Sequence, residues 1–447
     1  MTYNIIVGRN DSDRKKLGER GTVFLGRHYV RMGQSVSLSS NIFLDVARPH
    51  VMLIVGKRGS GKSHSLGVIA EEMSKLPEDI SQNLSVVIFD TMGIFWTMKY
   101  PNNRDENLLR TWNLKPEKLD TIDVWIPEGY FKEYKEKGVL ADKKLSIKTS
   151  ELDAGDWAGV FSVDLMDPVG ILIENVIGGL KESKKDYSIL DIINEIKKSK
   201  TSEKNVKDAA INRFLAAGTW GIFKKGGTEI RDLVQRGRVS VLDISCYTHM
   251  AGSWGVKTLV TGLISKKLLL DRMIARKLEE LETIESGSGL FDLEKEETRE
   301  EMPLVWLMID EAHSFIPKEG KTGASDALIQ LLREGRQPGI SMVLASQQPG
   351  ELAKDAITQA DIVLSHRLTA KKDIVALNNI MQTYLSSDVQ KYLTTLPRMA
   401  GAAILLDDNS ERIYPMNVRP RVTWHGGEAP TAVKLKSQEI LDLGLDF

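Results

Sequence analysis

A glycine-rich loop between an apolar segment and a helix-forming segment constrains this chain more than any other feature. Five apolar residues, 51–55, predict a buried strand, and apolar residues at helical spacing after residue 65 predict a helix. Between them, residues 56–63 match the phosphate-loop pattern G-x-x-x-x-G-K-[ST]. Because the loop has the strand before it and the helix after it, a chance glycine-rich turn is the weaker interpretation.

The residues of this loop suit phosphate binding by their chemistry. Glycine lets the backbone turn so that its N–H groups converge on phosphate oxygens. Lys62 is predicted to reach the β- and γ-phosphates, and the Ser63 hydroxyl is predicted to ligate Mg²⁺. The expected cofactors are therefore ATP and Mg²⁺. The predicted nucleotide-binding residues are Gly56, Lys57, Arg58, Gly59, Ser60, Gly61, Lys62, Ser63 and His64.

An apolar segment that ends in two acids supplies the expected partner of the loop. Residues 303–309 predict a strand that delivers Asp310 and Glu311 at its carboxyl end. Asp310 is predicted to hold Mg²⁺ with Ser63, and Glu311 to orient or deprotonate the attacking water. The alternative is a pair of helix-capping acids after a core strand. His313 has no other histidine at ligand spacing, so we expect it to couple the site to its neighbours instead of binding a metal.

Polar residues at the ends of two further predicted strands each have two possible roles. Gln347 follows a predicted strand at 340–346, where its amide can sense the γ-phosphate or place the water, or can simply belong to a turn. Asp90 ends a predicted strand at 84–90. It is interpreted either as facing the nucleotide, because ligands bind at the carboxyl ends of parallel strands, or as a strand-end cap.

Composition excludes several classes of protein. The chain has 447 residues, 42% hydrophobic and 27% charged, which is typical of a soluble globular protein. Its net charge of −1 provides no overall basic field for nucleic acid, so any such charge must be local. One cysteine excludes an intrachain disulfide. Without a signal-peptide pattern or an apolar run of about 20 residues, we expect a cytoplasmic protein with no membrane association.

Alternating strands and helices around the loop predict an α/β fold, a RecA-like P-loop NTPase core whose parallel sheet has helices on both faces. The predicted divisions are a small N-terminal β unit of barrel-like form, two parts of the ATPase core, a helical insertion between them and a C-terminal tail. The second core part is expected to contain a mobile, highly charged loop at 276–302. The bounds are 1–47, 48–127, 128–238, 239–427 and 428–447 in the order of the chain.

The order of these motifs resembles the HerA branch of the HerA/FtsK superfamily of ring ATPases. The likeness is most specific at residues 56–71 and 331–349, which contain Arg-Glu-Gly-Arg and Ala-Ser-Gln-Gln-Pro. The stretch 418–427 is similar to the end of that family's domain. The family's N-terminal barrel, where a nuclease partner is expected to dock, is usually longer than the about 45 residues present here.

The resemblance implies an ATP-hydrolysing homo-hexamer that moves double-stranded DNA through a central pore, in DNA end processing or repair with a NurA-like nuclease partner. It implies that Lys62 and Ser63 form the phosphate-loop pair, Asp310 and Glu311 the acidic pair, and Gln347 a sensor. Arg336 is the candidate arginine finger that reaches the next subunit, with Arg333 and Arg367 as rivals.

Two other classes of protein remain open at this point. One is a ring-forming ATPase scaffold of a defence complex or another complex, in which translocation is secondary. The other is a regulatory nucleotide switch such as a GTPase, which is expected to carry a guanine-reading Asn-Lys-x-Asp motif that this sequence lacks.

Overall fold

A computed structural model describes most of the chain. The described residues are 4–32, 35–183, 186–200, 202–249, 253–287, 301–380, 396–397 and 399–427. The predicted C-terminal tail from residue 428 lies outside these residues.

Most of the observed strands belong to the predicted α/β core. In chain order they are β1 Ile5–Val7, β2 Thr22–Met32, β3 Ser35–Asp45, β4 Val51–Val55, β5 Leu84–Asp90, β6 Ile122–Pro127, β7 Lys143–Leu145, β8 Ile147–Lys148, β9 Phe223–Lys224, β10 Val239–Asp243, β11 Leu304–Ile309, β12 Ile340–Ser346, β13 Ile362–His366, β14 Ala402–Asp407 and β15 Arg412–Val418.

The helices lie between the strands and in the segment from 128 to 238. In chain order they are α1 Asp11–Leu17, α2 Lys62–Met73, α3 Glu78–Ser81, α4 Glu106–Thr111, α5 Glu128–Glu136, α6 Ala154–Phe161, α7 Pro168–Ser183, α8 Ile189–Lys198, α9 Lys204–Gly218, α10 Ile230–Leu233, α11 Ser253–Gly287, α12 Ser325–Glu334, α13 Lys354–Thr358 and α14 Lys371–Ile380.

One large sheet organises the molecule. Within the described residues it has thirteen strands in the order β1-β3-β2-β15-β14-β13-β4-β12-β11-β5-β10-β6-β7, while β8 and β9 form a separate parallel pair. The run from β13 to β7 is parallel throughout. The strands β14, β15 and β2 continue it in antiparallel fashion. All carboxyl ends of the parallel run therefore meet at one edge of the sheet, where ligands of such folds bind.

The central strands are apolar because both faces of the sheet are covered. Every residue of β5 and of β12 is buried. Along β4, Leu53 and Val55 join one apolar cluster, whereas Met52 and Ile54 join the other. This alternation is the two-residue period of a strand, and burial on both sides is typical of parallel sheets. The bounds predicted for β4, β5 and β12 agree with the observed ones.

The N-terminal segment differs from the predicted barrel-like unit. Strand β2 pairs with β15, with His28 opposite Met416, so the N-terminal strands extend the large sheet. The same connection places β14 inside the sheet, between β13 and β15. Pairing between distant segments was not visible in the local apolar pattern.

The expectation of a mobile loop at 276–302 is wrong for residues 276–287, which continue α11. Arg276 forms i,i+3 and i,i+4 ion pairs with Glu279 and Glu280, and the buried Arg272 also contacts Glu279 at 3.0 Å. A dense charge pattern therefore belongs here to the solvated face of a helix. The part of the predicted loop from 288 to 300 lies outside the described residues.

The segment from 128 to 238 is largely helical, as its apolar spacing indicates. Its apolar side chains, among them Trp157, join the same cluster as one face of the large sheet, and the Trp157 ring lies 4.9 Å from Phe214 and 5.0 Å from Phe223 between centroids. Strand β7 attaches the start of this segment to the sheet beside β6. No helix within the described residues is both long and apolar enough to cross a membrane.

Candidate functional site

The phosphate loop lies at the carboxyl end of β4, between the ends of β12 and β13. Because these strands are parallel, the residues that follow them reach the same edge. Asp310 and Glu311 follow β11 there, Gln347 follows β12, and His366 ends β13. The fold thus places at one edge three predicted elements that are separated by up to about 290 positions in the sequence.

The backbone of the loop requires glycine at particular positions. Gly59 and Gly61 have φ angles of 73° and 108°, which lie in the left-handed region that L side chains rarely adopt. A Cβ atom at Gly56 would lie 2.7 Å from the His366 Cβ, so the approach to β13 also requires glycine. The Lys57 N–H donates to the Arg367 carbonyl at 3.0 Å and fastens the loop to the end of β13.

Lys62 is held as a buried cation at the start of α2. Lys62 is 6% exposed, and its ammonium group donates a hydrogen bond to the Lys57 carbonyl at 3.3 Å. Burial lowers the pKa of Lys62, while the nearby Glu311 and Asp310 carboxylates act in the opposite direction. A buried ammonium with one carbonyl partner fits an anionic ligand, which would supply the remaining hydrogen-bond acceptors.

Ser63 and Asp310 form the closest polar contact of the site. The Ser63 hydroxyl donates to the Asp310 Oδ2 at 2.5 Å. The described residues contain no cluster of three or more His, Cys, Asp or Glu side chains suited to a metal. A hydroxyl and one carboxylate nevertheless fit Mg²⁺, which commonly takes one or two protein ligands and completes its shell with water and phosphate oxygens.

Glu311 occupies a strained backbone position next to this pair. Its φ is 54°, and its N–H donates to the Asp310 Oδ1 at 2.9 Å. Burial raises the pKa of Glu311, and the Asp310 charge raises it further. Lys62 and a hydrogen bond from the Gln347 side chain lower it. The Glu311 Oε2 is buried and has no hydrogen-bond partner within the described structure, which leaves an acceptor for a water or a ligand.

His313 connects the acidic strand end to β12. Its Nδ1 lies 3.2 Å from the Ser346 hydroxyl and 3.6 Å from the Glu311 Oε2. Burial lowers the pKa of His313, and Lys62 lowers it further. The imidazole is therefore favoured in its neutral form beside Glu311, in keeping with the predicted coupling role.

A family model described as the central domain of helicase HerA matches residues 24–268, more than half of the chain. The chain belongs to the HerA helicase family. Two curated relatives are called DNA double-strand break repair helicase HerA. The protein of Sulfurisphaera tokodaii is 21% identical over 397 residues, covering 87% of this chain and 68% of its own. The probable HerA of Methanocaldococcus jannaschii is 23% identical over 376 residues, covering 79% and 69%.

The structure of VirB4 from Thermoanaerobacter pseudethanolicus has the same fold. Its TM-score is 0.53 at 13% sequence identity, covering 94% of this chain and 99% of that one. The predicted family and α/β P-loop ATPase fold are therefore confirmed. This HerA-family chain is a nucleotide-binding ATPase.

The three candidate arginine fingers of this HerA-family chain lie in different structural environments. Arg336 is exposed just beyond α12, at the amino end of β12, so it lies at the sheet edge opposite its own phosphate loop. Arg333 forms an ion pair with Asp355 at 2.7 Å. Arg367 lies next to the loop and accepts the Lys57 N–H through its carbonyl. The structure therefore does not bring Arg336 together with the other predicted site residues of one subunit.

Two of the remaining loop residues face different neighbours. Arg58 is exposed and lowers the pKa of Glu311. His64 has its ring edge-on to His425, with centroids 5.6 Å apart. The HerA-family phosphate loop thus touches the segment that follows β15.

Asp90 is a strand-end cap, which was one of the two interpretations of this residue. Its carboxylate accepts the N–H groups of Met92, Gly93 and Phe95 at 3.2, 2.8 and 2.7 Å. Burial raises the pKa of Asp90 to about 8, with a further contribution from Asp243 on the neighbouring strand. All of its observed contacts are structural.

His366 was missed by the sequence interpretation. Its Nε2 lies 2.8 Å from the Ser65 hydroxyl, and its Nδ1 lies 3.2 Å from the Ala402 carbonyl. Burial lowers the pKa of His366 to about 4, so the ring is neutral and joins α2 to β14 behind the loop. A histidine at the end of an apolar strand was the only available signal, and it does not identify a partner.

A buried ion cluster behind α2 was also missed. Glu71 is fully buried and accepts the guanidinium groups of Arg419 and Arg421 at 3.0 and 3.1 Å. It also accepts the N–H groups of Val422 and Thr423, each at 3.1 Å. The HerA-like stretch 418–427 therefore holds the helix that starts at the phosphate loop.

Proposed function

We propose that this chain is an ATP-driven motor that moves double-stranded DNA through the pore of a homo-hexamer. We propose DNA end processing or repair, with a NurA-like nuclease partner, as its setting. Family membership and the DNA-repair helicases among its relatives support this assignment. The structural observation that carries it is the 2.5 Å contact between Ser63 and Asp310, with Lys62 and Glu311 beside it.

Each residue of the site has a proposed task in hydrolysis. Lys62 and the N–H groups of the loop bind the phosphates of ATP, and Ser63 and Asp310 hold Mg²⁺. Bound Mg²⁺ would neutralise charge on the phosphates. Glu311 takes the proton of the attacking water, because its Oε2 lies on the same edge and accepts no hydrogen bond from the described residues. Gln347, which hydrogen-bonds Glu311, holds the orientation of that carboxylate and senses the γ-phosphate.

Arg336 is proposed to complete the site of the neighbouring subunit. Its place at the opposite sheet edge excludes a role in its own site without a large rearrangement, but suits a ring in which one edge faces the next subunit. A guanidinium can bridge phosphate oxygens with its planar fork. Arg333 is less suited, because its guanidinium is held by Asp355 of its own chain.

Binding of DNA is proposed to depend on assembly. A single chain has a net charge of −1, which gives little attraction for a polyanion. Six copies of one or two pore-facing cations would make a ring of several phosphate contacts, and such binding weakens steeply as salt increases.

Mass photometry with ATP and duplex DNA tests the assembly. We expect a species of about six times the 49.9 kDa chain, which gains the mass of one duplex when DNA is added. At high salt the hexamer should lose the DNA. A protein that stays monomeric or dimeric with both ATP and DNA would contradict the proposal, and a hexamer that never gains DNA mass would favour a scaffold.

A further inference from the structure

An aromatic cavity opens at the ligand-binding edge of the sheet, beside the phosphate loop. The 3₁₀ helix Phe95–Lys99, which follows β5, forms one wall, and the segment after β15 forms the other. Trp96, Tyr100 and Trp424 line it, and its volume is about 570 Å³. This volume lies within the range of pockets that hold small organic ligands.

The two walls of this aromatic cavity are fixed to each other. The Trp424 N–H donates to the Tyr100 carbonyl at 2.7 Å. The Thr97 hydroxyl donates to the Trp424 carbonyl at 3.0 Å. The rings of Trp96 and Tyr100 meet edge-on, with centroids 5.9 Å apart. A ligand would therefore find the aromatic surfaces already positioned, which reduces the entropic cost of binding.

Two histidines in contact link one wall of the aromatic cavity to the phosphate loop. Trp424 immediately precedes His425, whose ring contacts that of His64 at 5.6 Å. His64 in turn follows Ser63, the last residue of the phosphate-loop motif. The phosphate loop and the Trp424 wall of the aromatic cavity are therefore close neighbours at this edge.

The lining favours a flat, neutral group. Among the described residues that line the cavity, none has a charged side chain. The Arg104 guanidinium lies over the Trp424 ring at 5.0 Å and occupies one face of it, so a stacking ligand would use the other face. Aromatic side chains bind nucleobases by stacking on their π-faces.

We propose that this aromatic cavity binds the base of the nucleotide whose phosphates lie on the phosphate loop. The inference rests on the proposed nucleotide site and adds the residues that hold the base. A base of DNA is also flat and aromatic, so the experiment must distinguish a base of DNA from the base of the bound nucleotide.

Calorimetric titration with ADP and with pyrophosphate isolates the contribution of the base. The full chain is compared as wild type, Tyr100→Ala and Tyr100→Phe. We expect Tyr100→Ala to weaken ADP binding by about tenfold, within the range of one stacking contact. Tyr100→Phe should bind ADP as wild type does, because it keeps the ring. Pyrophosphate should bind equally to all three proteins, because it lacks a base.

The control is Trp254→Ala. Trp254 and Tyr100 are both 46% exposed, but Trp254 packs against Phe315 and is not among the cavity-lining residues. This change should leave ADP binding unaltered.

Each other outcome overturns the assignment. Unchanged ADP binding by Tyr100→Ala would place the base elsewhere, and equal loss of ADP and pyrophosphate would indicate damage to the loop. If Tyr100→Ala weakens a single-stranded oligonucleotide but not ADP, the cavity takes a base of DNA. If wild type binds neither ADP nor pyrophosphate, the nucleotide site itself is wrong and the inference falls with it.

Discussion

Glu311 combines a strained backbone with a carboxylate oxygen that has no hydrogen-bond partner among the described residues. A non-glycine residue with a φ of 54° is uncommon, and such positions cluster at functional sites, where surrounding contacts hold them. Here the Asp310 carboxylate accepts the Glu311 N–H, and Gln347 holds the side chain. The strain is thus associated with a fixed direction of the Glu311 carboxylate.

Glu311→Gln should separate nucleotide binding from hydrolysis. The amide keeps the shape of the side chain but cannot take a proton, so we expect ATP to bind with near wild-type affinity and turnover to fall at least a hundredfold. Lys62→Ala should instead lose nucleotide affinity, because it removes the buried cation. Equilibrium binding and steady-state phosphate release distinguish these two variants. Near wild-type turnover by Glu311→Gln would disprove the role of Glu311 as the base.

The pH dependence of turnover should follow the raised pKa of Glu311. Burial and the Asp310 charge favour the protonated carboxyl, so the base is lost on acidification at a higher pH than for an ordinary carboxylate. We expect kcat at saturating ATP to fall as the pH is lowered, with its midpoint above 4.5, the ordinary value for glutamate. His313→Gln is the control, because burial lowers the pKa of that imidazole and keeps it neutral. If this variant removes the acid limb, the titrating group is His313.

At the scale of elements, the stretch 418–427 holds the position of α2. Glu71 lies on α2 and meets two arginines and two backbone N–H groups from this stretch, all without exposure to water. Removing one partner of a buried ion cluster leaves the other charges unpaired. Movement of this stretch would therefore be transmitted to the helix that begins at the phosphate loop.

Glu71→Ala should destabilise the protein by about 3–5 kcal/mol, because it leaves Arg421 buried without its carboxylate and Arg419 with only Glu72 as an ion-pair partner. Urea unfolding of the nucleotide-free chain measures this loss. The matched control is Glu136→Ala on α5, which removes an exposed i,i+4 pair with Lys132 and should have no measurable effect. Equal midpoints and slopes for Glu71→Ala and wild type would refute the structural importance of the cluster.

Elements that are specified by residues close together in the sequence were predictable, whereas contacts between distant segments were not. The phosphate loop and the apolar strands β4, β5 and β12 were predictable, because short motifs and local periodicity specify them. The pairing of β2 with β15 and the contacts of Glu71 join segments that are hundreds of positions apart. One sequence contains no signal for such pairs. The role of Asp90 was equally undecided from the sequence, because only its hydrogen bonds with backbone N–H groups identify it as a strand-end cap.

At the scale of the whole molecule, the position of Arg336 requires a second subunit for its proposed role. We expect Arg336→Ala to bind ATP but to be nearly inactive, since a trans arginine contributes about 10³–10⁵ in turnover. Rings mixed with an excess of Lys62→Ala subunits should regain part of the activity, because each variant supplies what the other lacks. Phosphate release by the mixture measures this recovery.

Arg333→Ala is the control for this experiment, because Arg333 is already paired with Asp355 in its own chain. It should retain most of the wild-type turnover. If rings shown to be mixed do not recover activity, Arg336 does not act in trans.

The most direct test of the account is ATP turnover measured with and without linear duplex DNA at low salt. A motor that moves DNA should hydrolyse ATP at least several-fold faster when the duplex is present, and the stimulation should disappear as salt weakens the phosphate contacts. Glu311→Gln should remain inactive under both conditions. A wild-type turnover that is the same with and without duplex DNA, in protein shown to form the ring, would contradict the proposed motor.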